Sequence, residues 1–207
     1  CAAGIPAGPY DLALFMTTPR SMPAELVLDQ LEDIYSNMAE GGTFLASFEG
    51  DADAALKTLK LVFPSVHPLV RTKHVAVFSA RRGAPLARRR DFSATWSASV
   101  PGGPVLEFTS LPGCFCHRRA DAGGLALAEV ASRDVDPRAD ILDMGCGCGL
   151  VGLLVADAQR RADPATQRML TLIDSHARAL AAVKLNAERF GLADRCRFIL
   201  SDDGLPR

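Results

Sequence analysis

The chain has 207 residues, of which 48% are hydrophobic and 23% are charged, and its formal net charge is −1. This length allows one large domain or two small ones, and the apolar fraction excludes wholesale disorder. No membrane span is expected, because the least charged apolar stretch, residues 144–156, is interrupted by glycines and is shorter than about 18–20 residues.

The charge is unevenly distributed along the chain. Residues 1–70 carry a net charge of −6, residues 71–119 of +7, and residues 120–207 of −2. The central basic block is either a surface that binds RNA phosphates or a solvated linker. The arginines assigned to the RNA-binding interpretation are Arg81, Arg82, Arg88, Arg89 and Arg90. The aromatic residues nearby either stack on bases or belong to the core; they are Phe92, Trp96 and Phe108.

Six cysteines are too few for a disulfide scaffold in a chain of this length. A reducing compartment is therefore expected: the cytoplasm, or an organelle matrix if a targeting segment precedes Cys1. Because the chain does not begin with Met, we expect its natural N-terminus to lie upstream. The Cys114, Cys116 and His117 spacing is too cramped for a zinc site, and Cys146 and Cys148 are interpreted as small residues packed in a turn.

Strand and helix patterns alternate along the first 80 residues, as in the α/β class. The predicted elements are a strand at 10–16, a helix at 24–38, a strand at 43–48, a helix at 53–62 and a strand at 74–80. The first strand is expected to be buried. Ser21 is expected to cap the first helix, and Pro64 and Pro68 are expected to frame a turn.

The arginine-rich segment 81–90 is broken by Pro and Gly and is the predicted boundary between domains at 1–90 and 91–207. Two paired extended segments within 91–109 and a helix at about 122–132 follow. The remaining predicted elements are a strand at 141–144, a helix at 150–158, a strand at 170–173, a helix at 177–190 and a strand at 197–200.

The pattern Asp143-x-Gly145-x-Gly147-x-Gly149 lies between a predicted strand and a predicted helix. Glycines allow positive φ and let a ligand approach the backbone, and amides at a helix start donate to it. An aspartate directly before the turn suits a cationic group better than a pyrophosphate. The alternative is a tight turn with surface acids and no ligand.

Asp174 ends the next strand, where an acidic side chain accepts hydrogen bonds from ribose hydroxyls. With Asp143 and the glycine turn, it fits S-adenosylmethionine, which has a cationic amine, a sulfonium and a ribose but no phosphate. Asp202 follows the third strand and either contacts the adenine amino group or caps a helix. His176 is interpreted as a solvent-facing residue at a helix start, with a proton shuttle as the alternative role.

Four segments resemble known methyltransferase motifs. ILDMGCGCGLVGLLVA, LTLIDSHARALAAVKLNAERFGL and FILSDDGL resemble motifs I, II and III of class I methyltransferases. LPGCFCHRRADAGGLALAEV resembles the start of the "methyltransferase small" domain of ribosomal RNA guanine-N2 methyltransferases. Residues 10–50 resemble the second half of the degenerate, non-catalytic domain that precedes it. The resemblance is strong over 111–207 and weaker over 10–109, and it implies a Rossmann-like class I sheet preceded by part of that degenerate domain.

The resemblance implies a role for each matching residue. Those expected to cradle the methionine part of the cofactor are Asp143, Gly145, Cys146, Gly147 and Gly149. Those expected at the ribose are Asp174 and Ser175, with Asp202 near the adenine. Those expected in a segment that closes over the cofactor are Phe115, Asp121 and Gly123.

One family signature, Asn-Pro-Pro followed by an aromatic residue, does not occur in residues 1–207. Thr17-Thr18-Pro19 takes the matching place in the first domain but lacks the Asn. The chain is therefore expected to be a fragment, with the back of one domain and the front of another, and no catalytic residue is assigned.

The resemblance implies methyl transfer from S-adenosylmethionine to the exocyclic N2 amine of a guanine in ribosomal RNA, with the RNA or a ribosomal subunit as partner. One alternative is an inactive homologue that serves as a structural or assembly component of a ribosome-like particle. Another is an enzyme acting on a protein glutamine amide or a small molecule. No oligomeric state is predicted.

Overall fold

The computed structural model describes residues 4–17, 22–134 and 136–202. The chain divides into two compact units, residues 2–92 and residues 93–207. The predicted boundary at 90/91 differs from this division by two residues. None of the helices in the described ranges is long and apolar enough to cross a bilayer.

The first unit is a four-stranded mixed sheet with two helices. Its elements are β1 (Tyr10–Thr17), α1 (Ala24–Asn37), β2 (Met38–Glu49), α2 (Ala52–Leu59), β3 (Val66–Arg71) and β4 (Val75–Arg81). The strand order is β1-β2-β4-β3, in which β1 and β2 are parallel and the other pairs antiparallel. Its core is aromatic: Phe63 stacks on Phe44 with ring centroids 4.4 Å apart and meets Tyr35 edge-on.

The first strand forms as predicted, but its predicted burial is wrong for five of its eight residues, which are exposed. Leu12, Leu14 and Met16 are 53%, 71% and 80% exposed, whereas Ala13 and Phe15 pack against the core. Side chains alternate between the two faces of a strand. Both described helices of this unit contribute to the core cluster on the face of Ala13 and Phe15, whereas Leu12, Leu14 and Met16 lie on the opposite face of the strand.

The predicted turn around Pro68 is wrong: Pro68 lies inside β3. Strand β3 is at the edge of the sheet, where a missing backbone N–H is tolerated. The pairing with β4 shifts register between Pro68 and Val70. Ser21, the predicted cap of α1, and Thr18-Pro19 lie outside the described residues.

The second unit contains a hairpin and a parallel sheet. Its elements are β5 (Ala94–Ala98), β6 (Leu106–Ser110), α3 (Ala122–Asp134), β7 (Ile141–Met144), α4 (Leu150–Ala162), β8 (Leu170–Asp174), α5 (Ala177–Arg189) and β9 (Cys196–Leu200). Strands β5 and β6 pair antiparallel, and the other sheet has the order β7-β8-β9, all parallel. These elements agree with the predicted ones apart from shifts at their ends.

The core of the second unit holds the parallel sheet against α4 and α5. Leu153 of α4, Leu172 of β8 and Val183 of α5 are fully buried in one cluster. The hairpin joins this cluster through Phe108, whose ring packs between Trp96 and Phe190. Because parallel strands end at a common edge, this packing brings the residues that follow β7 and β8 together.

Candidate functional site

The glycine turn leaves β7 and is fixed to the neighbouring strand. The backbone N–H groups of Gly145 and Cys146 both donate to the carbonyl oxygen of Ile173, at 2.9 Å. The Gly149 N–H donates to the Cys146 carbonyl at 2.8 Å, and α4 begins at the next residue. The turn is thus held by backbone hydrogen bonds at the edge where the parallel strands end.

The three glycines of the turn have positive φ, but for different reasons. The values are 71° at Gly145, 56° at Gly147 and 91° at Gly149. A Cβ at Gly145 or Gly147 would meet no atom of the described residues within 4 Å. A Cβ at Gly149 would lie 2.5 Å from Val183 Cγ2. The first two glycines border open space, whereas the third allows close packing against α5.

The Asp174 carboxylate links strand β8 to the turn. Its Oδ2 accepts a hydrogen bond from the Gly147 N–H, and its Oδ1 accepts one from the His176 N–H, both at 2.8 Å. Each oxygen keeps a second lone pair for a ligand hydroxyl. Asp174 is half-buried, so these lone pairs face a site that is partly shielded from water.

The Asp143 carboxylate lies within the fold beneath the turn. Its Oδ2 accepts a hydrogen bond from the Gly152 N–H of α4 at 2.9 Å. Burial raises the pKa of Asp143, the Gly152 hydrogen bond opposes this shift, and the charge of Asp174 adds to it. A cation bound nearby would stabilise the ionised form of Asp143.

These groups line a cavity of about 360 Å³. Seven predicted site residues contribute to its lining: Phe115, Asp121, Asp143, Gly145, Cys146, Gly147 and Asp174. Four predicted site residues do not: Gly123, Gly149, Ser175 and Asp202. Ser175 and Asp202 are exposed, and Gly123 lies in the first turn of α3.

The cysteine loop, residues 111–121, forms another wall of this cavity. Asp121 Oδ2 accepts a hydrogen bond from the Gly124 N–H at 2.6 Å, and Oδ1 accepts one from the Cys116 thiol at 3.5 Å. Phe115 is 76% exposed although it lines the cavity. An exposed phenyl ring at the rim can cover the apolar part of a ligand.

Several lining residues were not predicted as site residues. Two of them carry buried nitrogens without a hydrogen-bond partner among the described residues: Trp96 Nε1 and His176 Nδ1. The interpretation of His176 as solvent-facing is therefore wrong for this nitrogen. The remaining lining residues are Gly113, Cys114, Cys116, Arg119, Gly124, Cys148, Leu150, Val151 and Ala179. In the sequence, the repeated Cys-x-Cys pattern is the feature that could have indicated the cysteines as lining residues.

The five described cysteines after Cys1 are all unpaired. Burial raises the pKa of the Cys148 thiol to about 12, and burial also raises the pKa of the Cys146 thiol. Thiols of this kind are poor nucleophiles and serve as small packing groups. No group of three or more His, Cys, Asp or Glu side chains suited to a metal ion occurs in residues 4–17, 22–134 and 136–202.

The predicted RNA-binding arginines differ in their surroundings. Arg89 forms ion pairs with Asp29 and Asp33, and Arg90 forms one with Glu32. Arg82 lies over the Tyr35 ring, 6.0 Å from its centroid. Arg81 and Arg88 are exposed.

The cavity has features that fit a nucleoside with a cationic tail. Three carboxylates line it, two glycines leave room for ligand atoms, and two buried nitrogens have no hydrogen-bond partner among the described residues. A ribose can bond to Asp174, and a cation can neutralise Asp143. The surrounding lining includes Leu150, Val151 and Ala179 and is largely apolar, as nucleoside sites are.

Comparison with curated proteins identifies relatives over nearly the whole chain. The chain is 31% identical over 192 residues to "Ribosomal RNA small subunit methyltransferase C" of Ectopseudomonas mendocina (strain ymp), covering 91% of this chain and 54% of the relative. It is 30% identical over 209 residues to the protein of the same name from Pseudomonas entomophila (strain L48), covering 98% and 57%. The chain thus spans about half the length of the curated relatives it matches.

A solved structure shares the fold. It is a T. thermophilus 16S rRNA N2 G1207 methyltransferase in complex with AdoMet and guanosine, with a TM-score of 0.76 at 19% identity. The match covers 95% of this chain and 52% of that one, and shows the Rossmann-like α/β fold that was predicted. The model of the methyltransferase small domain family matches residues 105–204. Residues 105–204 of this chain therefore belong to the methyltransferase small domain family.

Proposed function

We propose that this chain is part of an S-adenosylmethionine-dependent methyltransferase that modifies the N2 amine of a guanine in small-subunit ribosomal RNA. The observation that carries the proposal is the cavity in which Asp143, Asp174 and the open glycines of the turn meet. The family of residues 105–204 and the names of the relatives support it. AdoMet and guanosine are the ligands of the structural neighbour, and we extend both to this chain.

The cofactor would supply an activated methyl group on a sulfonium. The residues of this chain would bind and orient it: Asp174 accepts from the ribose hydroxyls, and Asp143 offsets positive charge. The open space at Gly145 and Gly147 lets the ligand approach the backbone. Catalysis of methyl transfer depends mainly on the positioning of the two reactants. The residues described here would position the cofactor.

The predicted residues outside the cavity lining have less direct roles in this proposal. Ser175 and Asp202 follow β8 and β9 at the same edge of the sheet, beside the expected ribose and adenine. A Cβ at Gly123 would lie 3.3 Å from Asp121 Oδ2, so the glycine leaves room for that carboxylate. Gly149 supports the turn by allowing α5 to pack closely.

For the RNA, we propose Arg81 and Arg88 as phosphate contacts, with a smaller contribution from Arg82. Among the described residues, neither Arg81 nor Arg88 is paired with a carboxylate, whereas Arg89 and Arg90 are. An arginine that is already paired with carboxylates contributes less binding free energy when it contacts a phosphate. The guanine must be unpaired or flipped out, because its N2 amine is otherwise hydrogen-bonded.

The relatives carry enzyme names, which favours the enzyme over an inactive structural homologue. They are also bacterial. This supports the cytoplasm as the compartment and gives no support to an organelle matrix.

Calorimetry of the full-length protein with S-adenosylmethionine tests the cofactor part of the proposal. We expect saturable binding that falls at least tenfold in Asp174→Asn. The matched control is Asp194→Asn, because Asp194 is exposed and precedes β9 at the opposite edge of the sheet. No binding at millimolar ligand, or equal affinity in both variants, would contradict the proposal.

The substrate part is tested by the transfer of a tritiated methyl group to small ribosomal subunits. Nuclease digestion should place the label on the N2 amine of a guanosine. Label on ribosomal protein, or on another nucleoside, would contradict the substrate while leaving the cofactor result intact.

A further inference from the structure

The turn at the end of the cysteine loop has an uncommon backbone. Cys116 and Arg118 have φ values of 50° and 76°, although neither is glycine. Non-glycine residues rarely adopt this region, and when they do the surroundings must hold them there. Arg119 follows directly and lines the cavity.

The turn is fixed by hydrogen bonds on both sides of Arg119. Ser110 Oγ, at the end of β6, accepts the Arg118 N–H at 3.2 Å and is hydrogen-bonded to His117 Nδ1 at 2.9 Å. On the other side, the Cys116 thiol donates to Asp121. The base of the Arg119 side chain therefore has a defined position at the cavity.

The charges that line the cavity are unbalanced. Three carboxylates line it, those of Asp121, Asp143 and Asp174, and Arg119 is the one guanidinium or ammonium group in the lining. Within the described part of the chain, the Arg119 guanidinium has no ion pair or hydrogen bond. A ligand that brings a carboxylate into this cavity would be repelled by the three acids and attracted by the Arg119 guanidinium.

The complete cofactor has such a carboxylate, at the end of its amino-acid part. With the ribose taken to bond to Asp174 on β8, the amino-acid part would lie toward Asp143 on β7 and the cysteine loop, which line the same cavity. Asp143 on β7 can offset the ammonium group, and Arg119 is the guanidinium of the lining that can offset the carboxylate. A guanidinium binds a carboxylate with two parallel hydrogen bonds.

We propose that Arg119 binds the carboxylate of the cofactor and so makes the site select ligands with an intact amino-acid end. Arg119 would be a specificity-determining residue of the cofactor site. The assignment rests on the proposed function, because it takes S-adenosylmethionine as the ligand.

The test compares two ligands that differ by one carboxylate, S-adenosylmethionine and its decarboxylated form, by calorimetry on the full-length protein. Wild type should bind the complete cofactor about tenfold or more tightly, as charged hydrogen bonds usually give. Arg119→Ala should bind the complete cofactor no more tightly than the decarboxylated form, and Arg119→Lys should keep part of the preference. Arg138→Ala is the control, since Arg138 is exposed before β7 and outside the lining.

The outcomes separate this inference from the proposed function. If wild type binds neither compound, the proposed function fails and the Arg119 assignment fails with it. If wild type binds both but Arg119→Ala keeps the full preference, or weakens both ligands equally, the assignment alone is overturned. A preference that is lost equally in Arg138→Ala would reflect long-range charge and would also overturn it.

Discussion

Asp174 Oδ2 accepts a hydrogen bond from the backbone N–H of Gly147 at 2.8 Å, across 27 positions of the chain. This bond joins the end of β8 to the middle of the turn that follows β7. One carboxylate therefore both shapes the glycine turn and faces the cavity.

Substitution of Asp174 should lower stability in steps. Asp174→Asn keeps one oxygen acceptor, so either the Gly147 or the His176 N–H loses its partner, and we expect a loss of about 1–2 kcal/mol in the free energy of unfolding. Asp174→Ala removes both acceptors and should cost about 2–4 kcal/mol. Urea unfolding followed by Trp96 fluorescence measures both, since Trp96 is the sole tryptophan of the 207 residues. Equal losses would show that the second hydrogen bond contributes nothing.

Asp143→Asn should maintain or raise the stability of the ligand-free protein but lower its affinity for the cofactor. The pKa of Asp143 is raised by burial, so its contribution to folding is fully present at pH values below the usual aspartate pKa and is lost as pH rises through the raised pKa. Asparagine still accepts the Gly152 N–H but carries no charge. At neutral pH without ligand, we therefore expect the variant to be at least as stable as wild type in urea.

Cofactor affinity should respond to Asp143 in the other direction. The ionised carboxylate attracts a cationic ligand, so wild-type affinity should rise as pH increases through the raised pKa of Asp143. In Asp143→Asn this rise should be lost, and affinity should be lower near neutral pH. Calorimetry at several pH values above the usual aspartate pKa checks this. A rise of the same size in the variant would assign the pH dependence to another group.

Alanine substitutions at two glycines of the same turn should have different consequences. Gly149→Ala places a Cβ 2.5 Å from Val183 Cγ2 at a φ of 91°, and should destabilise the protein by about 2–4 kcal/mol through overpacking and backbone strain. Gly145→Ala incurs the backbone cost alone, about 1–2 kcal/mol, because its Cβ meets no described atom within 4 Å. Its added methyl group should instead weaken cofactor binding. A larger stability loss at Gly145 than at Gly149 would refute this distinction.

The part of the site that could be predicted from sequence is local in the chain. Asp143, the glycines and Asp174 stand at fixed positions relative to strand ends, and parallel strands bring such positions together. The burial of β1 could not be predicted in this way, since a run of apolar residues does not tell which face of a sheet is covered. The position of Pro68 in a strand also depends on that strand being at the sheet edge.

The other wall of the cavity could not be predicted, because it depends on contacts between distant segments. Trp96 reaches the cavity because the hairpin packs against α5, and this contact has no local signature. Asn186 holds it: its side chain accepts the Thr109 N–H and donates to the carbonyl oxygens of Thr109 and Cys148, each at 2.8 Å. In the sequence, Asn186 is an ordinary polar residue of an amphipathic helix.

Asn186 should accordingly be among the most sensitive polar positions of the second unit. It is fully buried, and Asn186→Ala would leave three backbone groups without partners, at a cost of about 3 kcal/mol or more. Asn37→Ala is the matched control, because Asn37 is half-buried and bonds mainly within its own helix, so about 1 kcal/mol is expected. Chemical denaturation measures both, and a loss near 1 kcal/mol at Asn186 would contradict its structural role.

The arginine-rich segment should divide into structural and RNA-facing residues. Glu32 is 3% exposed and accepts the Arg90 backbone N–H at 2.8 Å in addition to the ion pair with its side chain. Arg90→Ala leaves a buried carboxylate without its cation and should destabilise the first unit by about 3 kcal/mol. Arg88→Ala should change stability by less than about 0.5 kcal/mol, as exposed side chains usually do.

For RNA affinity, we expect Arg88→Ala to have a larger effect than Arg90→Ala, the reverse of their order for stability. Arg88→Ala is expected to weaken binding of the full-length protein to ribosomal RNA and to reduce the slope of log affinity against log salt by about 1, the effect of losing one phosphate contact. Arg90→Ala, measured at a temperature where it remains folded, should leave that slope unchanged, since its guanidinium is already neutralised by Glu32. Filter binding at four salt concentrations measures the slopes. If Arg90→Ala changes the slope and Arg88→Ala does not, the ion pairs with α1 must open when RNA binds, and the assignment of Arg88 to the RNA surface is wrong.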